Sequence, residues 1–285
     1  MRPDPSPRSA DAPPDTASTC LTSLQNPRVK YVVKLRKRAN RDAEGVLLIE
    51  GYRELKRALD NGVRPHSLFV CPDWFLGENE PALIEQARQA GATIWSCTAP
   101  VFEKMAYRDR PEGLLALAPQ RNLTLADLDL PDDPLLLVAE HIEKPGNLGT
   151  MLRSADAAGV DAVIVCDRCT DIHNPNVVRA SIGTVFAVPV VDAGSAEVRD
   201  WLQSRNIQIV AATPHTDRDY TEIDYRPGTA ILVGAEQVGL SEFWMHQADG
   251  LVRIPMLGQC DSLNVAAAAT ILLYEAVRQR RAHVT

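Results

Sequence analysis

EKPGNLGTMLRSADAAGVDAVIV, residues 143–165, decides how this chain is read. It follows the apolar run LLLVAE (135–140) with a turn built on Pro145, Gly146 and Gly149. A helical pattern fits 149–158, and DAVIVC (161–166) reads as the next strand. Strand, glycine-rich turn, helix and strand make a parallel βαβ unit. The turn also holds Asn147 and the helix holds Arg153, and chain reversal requires neither.

The same alternation extends downstream. VFAVPVV (185–191), IQIVAAT (207–213), AILVG (230–234) and LVRIPM (251–256) are continuous apolar runs. They are separated by helical patterns at 175–182, 195–205, 241–247 and 262–279. Runs of this kind indicate a parallel sheet covered on both faces. The last helix, SLNVAAAATILLYEAVRQRR, is apolar nearly all round until Tyr274, so it needs cover from the core or from a second subunit.

Upstream, residues 21–118 alternate strand candidates GVLLIE (45–50), SLFVC (67–71), ATIWSC (92–97) and GLLALA (113–118) with two helices ending on Gly62 and Gly91. This reads as a separate small α/β domain. PQRNLTLADLDLPDDP (119–134) has three prolines and no period and reads as a linker. Residues 1–20 read as a disordered tail, and 135–285 form the second domain.

The net charge is −7, yet RVKYVVKLRKRANR (28–41) carries seven basic residues and no acid. Laid on one helix, Lys30, Lys34, Lys37, Arg38 and Arg41 share an arc of about 100°, a cationic stripe suited to phosphates or a solvated face. Six cysteines without a second C-x-x-C or paired histidines make neither a disulfide scaffold nor a zinc site, and no metal is expected. VAAAATILL (265–273) is too short to span a bilayer, and a cytoplasmic protein with no membrane partner is expected.

Ligands of parallel α/β sheets bind beyond the carboxyl ends of the strands. Three loops there stand out: HIEKPGNLGTMLR, GAEQVGLS and LGQCDSLN. None contains G-x-G-x-x-G, G-K-[ST] or G-x-S-x-G, which excludes the dinucleotide, P-loop and nucleophile-elbow fingerprints.

EKPGNLGTMLRSADAAGV, ILVGAEQVGLS and IPMLGQCDSLNVAAAATILLYEA, in that order, resemble the three motifs of the SpoU/TrmH branch of SPOUT RNA 2′-O-ribose methyltransferases. NPNVVRASIGTVFAVPV (174–190) also resembles a segment of the branch, and LIEGYRELKRALDNG and RPEGLLALAP resemble its RNA-binding domain more loosely. The resemblance implies a C-terminal SPOUT domain with a parallel sheet and deep trefoil knot. A small α/β domain like ribosomal protein L30e would precede it. It further implies a homodimer, bound S-adenosylmethionine, and 2′-O-methylation of a structured RNA. That RNA is expected to be 23S ribosomal RNA, with a role in antibiotic resistance among the roles open to the branch. A transfer RNA substrate, or a non-catalytic RNA-binding or ribosome-assembly protein on the same fold, stands as the alternative.

By the same resemblance Asn147, Arg153, Glu236, Ser262 and Asn264 are the catalytic set. Thr213, Gly234, Ile254, Met256 and Leu263 would contact the cofactor, mostly through backbone, and Arg179 would join the cationic stripe in binding RNA. Arg153 would reach the reacting ribose, either stabilising charge on its oxygen or helping to remove its proton. Ser262 is expected to cap the last helix, with Asn264 in its first turn, and Asn147 could cap the helix that it opens. His141 and His173 lie near these loops without evident partners and are expected to be structural.

Overall fold

The structure, a computed structural model, describes residues 20–282, so all but the last residue of the expected tail lies outside the described residues. The N-terminal part comprises α1 (Pro27–Lys34), α2 (Arg38–Glu44), β1 (Val46–Glu50), α3 (Tyr52–Asp60), β2 (Ser67–Val70), α4 (Glu80–Gln89), β3 (Thr93–Ser96), α5 (Ala99–Met105) and β4 (Leu114–Pro119). Its sheet runs β1-β4-β2-β3, with β4 antiparallel to both neighbours and β2 parallel to β3.

The C-terminal part comprises β5 (Leu135–Glu140), α6 (Pro145–Ala158), β6 (Ala162–Cys166), α7 (Pro175–Ala180), β7 (Val190–Ala193), α8 (Ser195–Ser204), β8 (Gln208–Ala212), β9 (Thr229–Val233), α9 (Glu242–Gln247), β10 (Gly250–Val252) and α10 (Val265–Ala282). Its sheet is ordered β10-β8-β9-β5-β6-β7 and is parallel throughout. The chain moves outward from β5 to β7, crosses to β8 and comes back beside β5 as β9. The order therefore reverses between β5 and β9, where a crevice is expected.

Continuous apolar strands follow from burial on both faces. Leu135, Leu137, Val163, Val165, Ile231 and Val233 pack with Met151 and Leu152 of α6 and with Leu272 and Leu273 of α10. Their neighbours Leu136, Val138, Ile164 and Leu232 point the other way, onto Val198 and Leu202 of α8 and Trp244 of α9. Residues 119–134, expected to be a linker, are not loose: Leu125 and Leu128 are buried in this second cluster, and Thr124 and Asp127 close a reciprocal capping box.

Several elements depart from expectation. The basic segment 28–41 is not one helix but two, broken at Leu35–Lys37. Arg41 explains the break: its guanidinium donates to the carbonyls of Leu35 (2.9 Å) and Arg36 (2.8 Å), and Asn40 donates to that of Lys34 (2.7 Å). These bonds satisfy the carbonyl end of α1 and turn the chain back. The strand expected from 185 starts only at Val190, since Thr184–Phe186 forms a 3-10 turn after Gly183 (φ +79°). β10 ends at Val252, and the chain beyond it leaves the sheet.

The two parts meet where α7 lies against β1 and Val178 enters the N-terminal core. Across this contact Arg41 forms a buried ion pair with Asp171, and Arg57 donates to the Ile182 carbonyl.

Candidate active site

A cavity of about 670 Å³ opens at the carboxyl ends of β8, β9 and β10, beside the reversal and reached from the β5 loop by Lys144. Thr213, Gly234, Glu236, Ile254, Met256, Ser262, Leu263 and Asn264 all line it. The loop after β9 folds tightly on itself through paired backbone bonds between Ala235 and Gly239, each 3.0 Å. Gly234 makes this fold possible. A Cβ there would lie 2.3 Å from the Gly239 carbonyl carbon and 2.4 Å from the Leu240 nitrogen, so its small size serves the loop before any ligand. The backbone N–H of Thr213 donates to Val252 (2.9 Å), which ties the ends of β8 and β10 together at the cavity wall.

One hydrogen-bonded chain joins all three motif loops. Asn147 Nδ2 donates to Glu236 Oε1 (2.6 Å), and Asn264 Nδ2 donates to Asn147 Oδ1 (3.1 Å). Asn264 Oδ1 in turn accepts from the N–H groups of Ala266 (3.0 Å) and Ala267 (3.4 Å). Asn264 is therefore the cap of α10, the role expected of Ser262, which stays exposed at the cavity edge. Asn147 does not cap α6 either. It sits in the first turn after Lys144 and spends both ends of its amide on the other two loops.

Glu236 also accepts from the backbone N–H groups of Glu143 (3.2 Å) and Lys144 (3.3 Å), at the positive end of α6. Burial pushes its carboxyl upward, but the hydrogen bonds from Asn147 and from the backbone outweigh burial and hold it below the usual glutamate range. It is an ionised acceptor.

Arg153 is not brought to this cavity. Six residues beyond Asn147 it lies about 120° round α6. It is exposed and makes no side-chain hydrogen bond or ion pair with another described residue. Within the same chain, Arg153 and the Asn147–Glu236–Asn264 network face different directions.

The remaining expected residues are dispersed. Lys30, Lys34, Lys37 and Arg38 are exposed, but Lys34 pairs with Glu44 (3.8 Å) and Arg38 with Asp42 (3.3 Å). Arg41 is only 2% exposed and is committed to Asp171, which removes it from the stripe. Arg179 is exposed on α7. His173 is buried, with Nε2 3.3 Å from the Arg121 carbonyl, and burial pushes its pKa down; His141 lies 3.7 Å from the buried Glu140.

Sequence reasoning passed over Leu240 and Met245, which line the cavity from the loop before α9 and from α9 itself, and Ala268, which lines it from α10. Leu240 lay within a quoted motif, while Met245 carried no signal beyond helical periodicity. It also passed over Arg28, whose guanidinium lies 4.0 Å from the Trp95 ring centroid. An arginine and a tryptophan so far apart in sequence could not be paired from pattern alone.

One polar chain thus joins three loops around a cavity at the carboxyl ends of β8, β9 and β10. Residues 134–274 match the SpoU rRNA Methylase family, and residues 26–116 match the MRM3-like substrate binding domain. This chain belongs to the SpoU rRNA methylase family. A 23S rRNA uridine 2′-O-methyltransferase of Streptomyces viridochromogenes is 36% identical over 234 residues, 77% of this chain and 82% of that protein.

Among solved structures, an AdoMet-bound rRNA methyltransferase from Sinorhizobium meliloti superposes with a TM-score of 0.84 at 32% identity, covering 91% of this chain and 97% of that one. The SpoU methyltransferase AviRb from Streptomyces viridochromogenes, in complex with AdoMet, gives 0.82 at 31%, covering 90% and 100%. The fold of this chain, both parts included, is thus shared with these two methyltransferases over nearly their whole length. No described helix is long and apolar enough to cross a membrane.

Proposed function

We propose that this protein is a cytoplasmic S-adenosylmethionine-dependent 2′-O-ribose methyltransferase of 23S ribosomal RNA. The observation that carries the reading is the Glu236–Asn147–Asn264 chain, which ties together the loops of all three motifs around one cavity. The cavity suits the cofactor: Gly234, Ala235, Ile254 and Leu263 offer backbone groups and Met245 and Met256 an apolar wall. S-adenosylmethionine would supply an electrophilic methyl group on its sulfonium. The ribose 2′-oxygen would take that methyl group as the carbon–sulfur bond breaks, with the hydroxyl proton passing to solvent. Arg153, with no side-chain partner among the described residues, stabilises the charge that grows on the oxygen and holds the adjacent phosphate.

Because Arg153 faces away from its own cavity, the reading includes a homodimer in which it serves the partner's site. Support comes from the surface around it. α6 packs on α10, where the Ser154 and Thr270 hydroxyls meet at 2.7 Å, and Thr150, Arg153, Ala267 and Tyr274 stand exposed on the two helices. Leu272 and Leu273, by contrast, are fully buried in the chain's own core, so the all-round apolar helix is only partly explained by a partner. The trefoil knot that the resemblance implies belongs to this C-terminal part.

Mapping 2′-O-methylated positions in total RNA, with and without this protein, tests the reading. One additional 23S rRNA position is expected. A new position in transfer RNA would redirect the substrate, and no new position would overturn the activity. Sedimentation at about 10 µM, where a stable dimer with a micromolar or tighter Kd is populated, should show a dimer that Tyr274→Glu dissociates. A fully active monomer would overturn the shared site.

A further inference from the structure

A second cavity, of about 530 Å³, opens where the two parts of the chain meet. Tyr52 and Arg53 at the start of α3, Glu80 at the start of α4, and Arg108 and Glu112 ahead of β4 form one side; Arg179 and Ile182 form the other. Its charges are layered. Arg108 is engaged inside by Glu54 and Glu112, each at 2.5 Å, and by the Glu50 carbonyl at 2.9 Å. Glu80 is 4% exposed; its Oε1 accepts from the N–H groups of Leu76 and Gly77, but its Oε2 has no partner among the described residues. The interior thus holds three carboxylates against one guanidinium, and among the described residues Glu80 Oε2, an acceptor, and Arg108 Nε, a donor, are both buried and unspent. At the mouth, Arg53 and Arg179 are exposed, and neither side chain has a hydrogen bond or ion pair with another described residue.

The far wall is held in a costly conformation. Ile182 has φ +53°, a left-handed geometry that a β-branched residue rarely adopts, and Arg57 grips its carbonyl. Gly183 follows at φ +79°, so close to α3 that a Cβ would lie 2.9 Å from Glu54 Cα. Strain of this kind persists where the surroundings over-determine it, and it clusters at binding sites.

We propose that this cleft binds an RNA nucleotide close to the one that is methylated. The inference rests on the methyltransferase reading. The two free arginines, one from each side, take the phosphate. The half-buried Tyr52 ring offers a stacking face for the base, and the spare Glu80 oxygen accepts from an exocyclic amino group as the rim at Leu76–Gly77 adjusts, favouring adenine, cytosine or guanine over uracil. A small polyanion suits the cleft less well, since the carboxylates repel charge carried inward; a nucleotide keeps its phosphate at the mouth and places a neutral donor within.

Position supports the assignment. α7 crosses α6 at Gly149, where a Cβ would lie 2.5 Å from Ala180 Cβ, the neighbour of Arg179. Arg153 is one turn beyond Gly149 and about 40° round the helix, on the side of this crossing. A strand lying across Arg153 therefore runs towards the cleft.

The test is methylation kinetics with unmodified 23S rRNA as substrate, using the full chain and its Arg53→Ala/Arg179→Ala and Glu80→Gln variants. The double variant should raise KM for RNA by about tenfold or more, with a smaller change in kcat and unaltered cofactor affinity and melting temperature. Photocrosslinking should join Tyr52 to a nucleotide near the methylated one, and Glu80→Gln should raise KM less when that nucleotide is changed to uridine. If the wild type methylates RNA while the double variant keeps its KM, the cleft assignment is overturned and the methyltransferase reading stands. Absence of methylation by the wild type removes the reading itself. Micromolar binding of free AMP or CMP that RNA does not displace would overturn the assignment in favour of a small-molecule site.

Discussion

The cavity at the carboxyl ends of β8, β9 and β10 is walled largely by loop backbone and apolar side chains, with Lys144, Glu236, Arg253 and Asp261 also in its lining, whereas charged side chains, Arg53, Glu54, Glu80, Arg108, Glu112 and Arg179, dominate the cleft between the two sheets. The first is built by loops that fold onto themselves and are joined by neutral amides to a single carboxylate. The second exists only because the two parts of the chain approach, and its free charges come from both. The difference follows what each ligand offers. A cofactor with adenine and amino-acid ends is recognised by donors and acceptors held at fixed positions, which backbone supplies. RNA offers repeated phosphates, for which exposed arginine suffices to give affinity.

The largest expected effect separates chemistry from either form of binding. Arg153→Ala should lower the methylation rate by about a hundredfold to a thousandfold or more while leaving cofactor affinity in calorimetry unchanged. Near-normal turnover would place the charge stabilisation elsewhere. A Gly234→Ala change attacks the backbone-built cavity instead. Its Cβ cannot coexist with Gly239 and Leu240, so the loop must move, at a cost of about 1–3 kcal/mol. Cofactor affinity should fall by tenfold or more with a lower melting temperature, and RNA binding should persist. Retained cofactor affinity would show that the loop is not what shapes the cavity.

A pH titration sharpens the contrast from the other side. Burial and the competing bonds of Asn147, Glu143 and Lys144 leave Glu236 with a folded pKa below its unfolded one. Its stabilising contribution is then complete above the ordinary glutamate value of about 4.3 and is lost as the pH falls through the lowered value. Amide signals of Glu143 and Lys144 should thus stay fixed down to about pH 4.3 and shift only below it. A transition near neutrality would contradict the network. The smallest effect concerns the basic helices. Reversing Lys30 and Lys37, which have no ion pair among the described residues, should reduce the salt slope of RNA binding by about one to two; reversing Lys34 and Arg38, already paired, should do less. Equal effects from both pairs would return the whole segment to a diffuse charged surface.

The alternation of strands and helices was legible because periodicity is a local property of the chain. β5 runs over the same six residues as LLLVAE, and the three motif loops fall at the strand ends where they were expected. Helix caps were less legible. Ser262 and Asn264 are both good capping residues, and only the hydrogen bond from Asn264 to Asn147 selects between them. Charge was the least legible. Arg41 belongs by composition to the cationic stripe, yet Asp171, 130 residues away in sequence, takes it into the interior.

The order of residues by itself determined that this chain makes two α/β units and that its polar residues gather in loops at the ends of parallel strands, since both follow from short-range hydrophobic period and turn chemistry. Tertiary structure alone decided which of those residues meet. Asn147, Glu236 and Asn264 converge because β5 and β9 are adjacent and α10 returns beside α6, while Arg153 on the same helix as Asn147 turns away. Strand order and the approach of Arg53 to Arg179 depend on packing between segments far apart in the chain, and sequence period carries no information at that range.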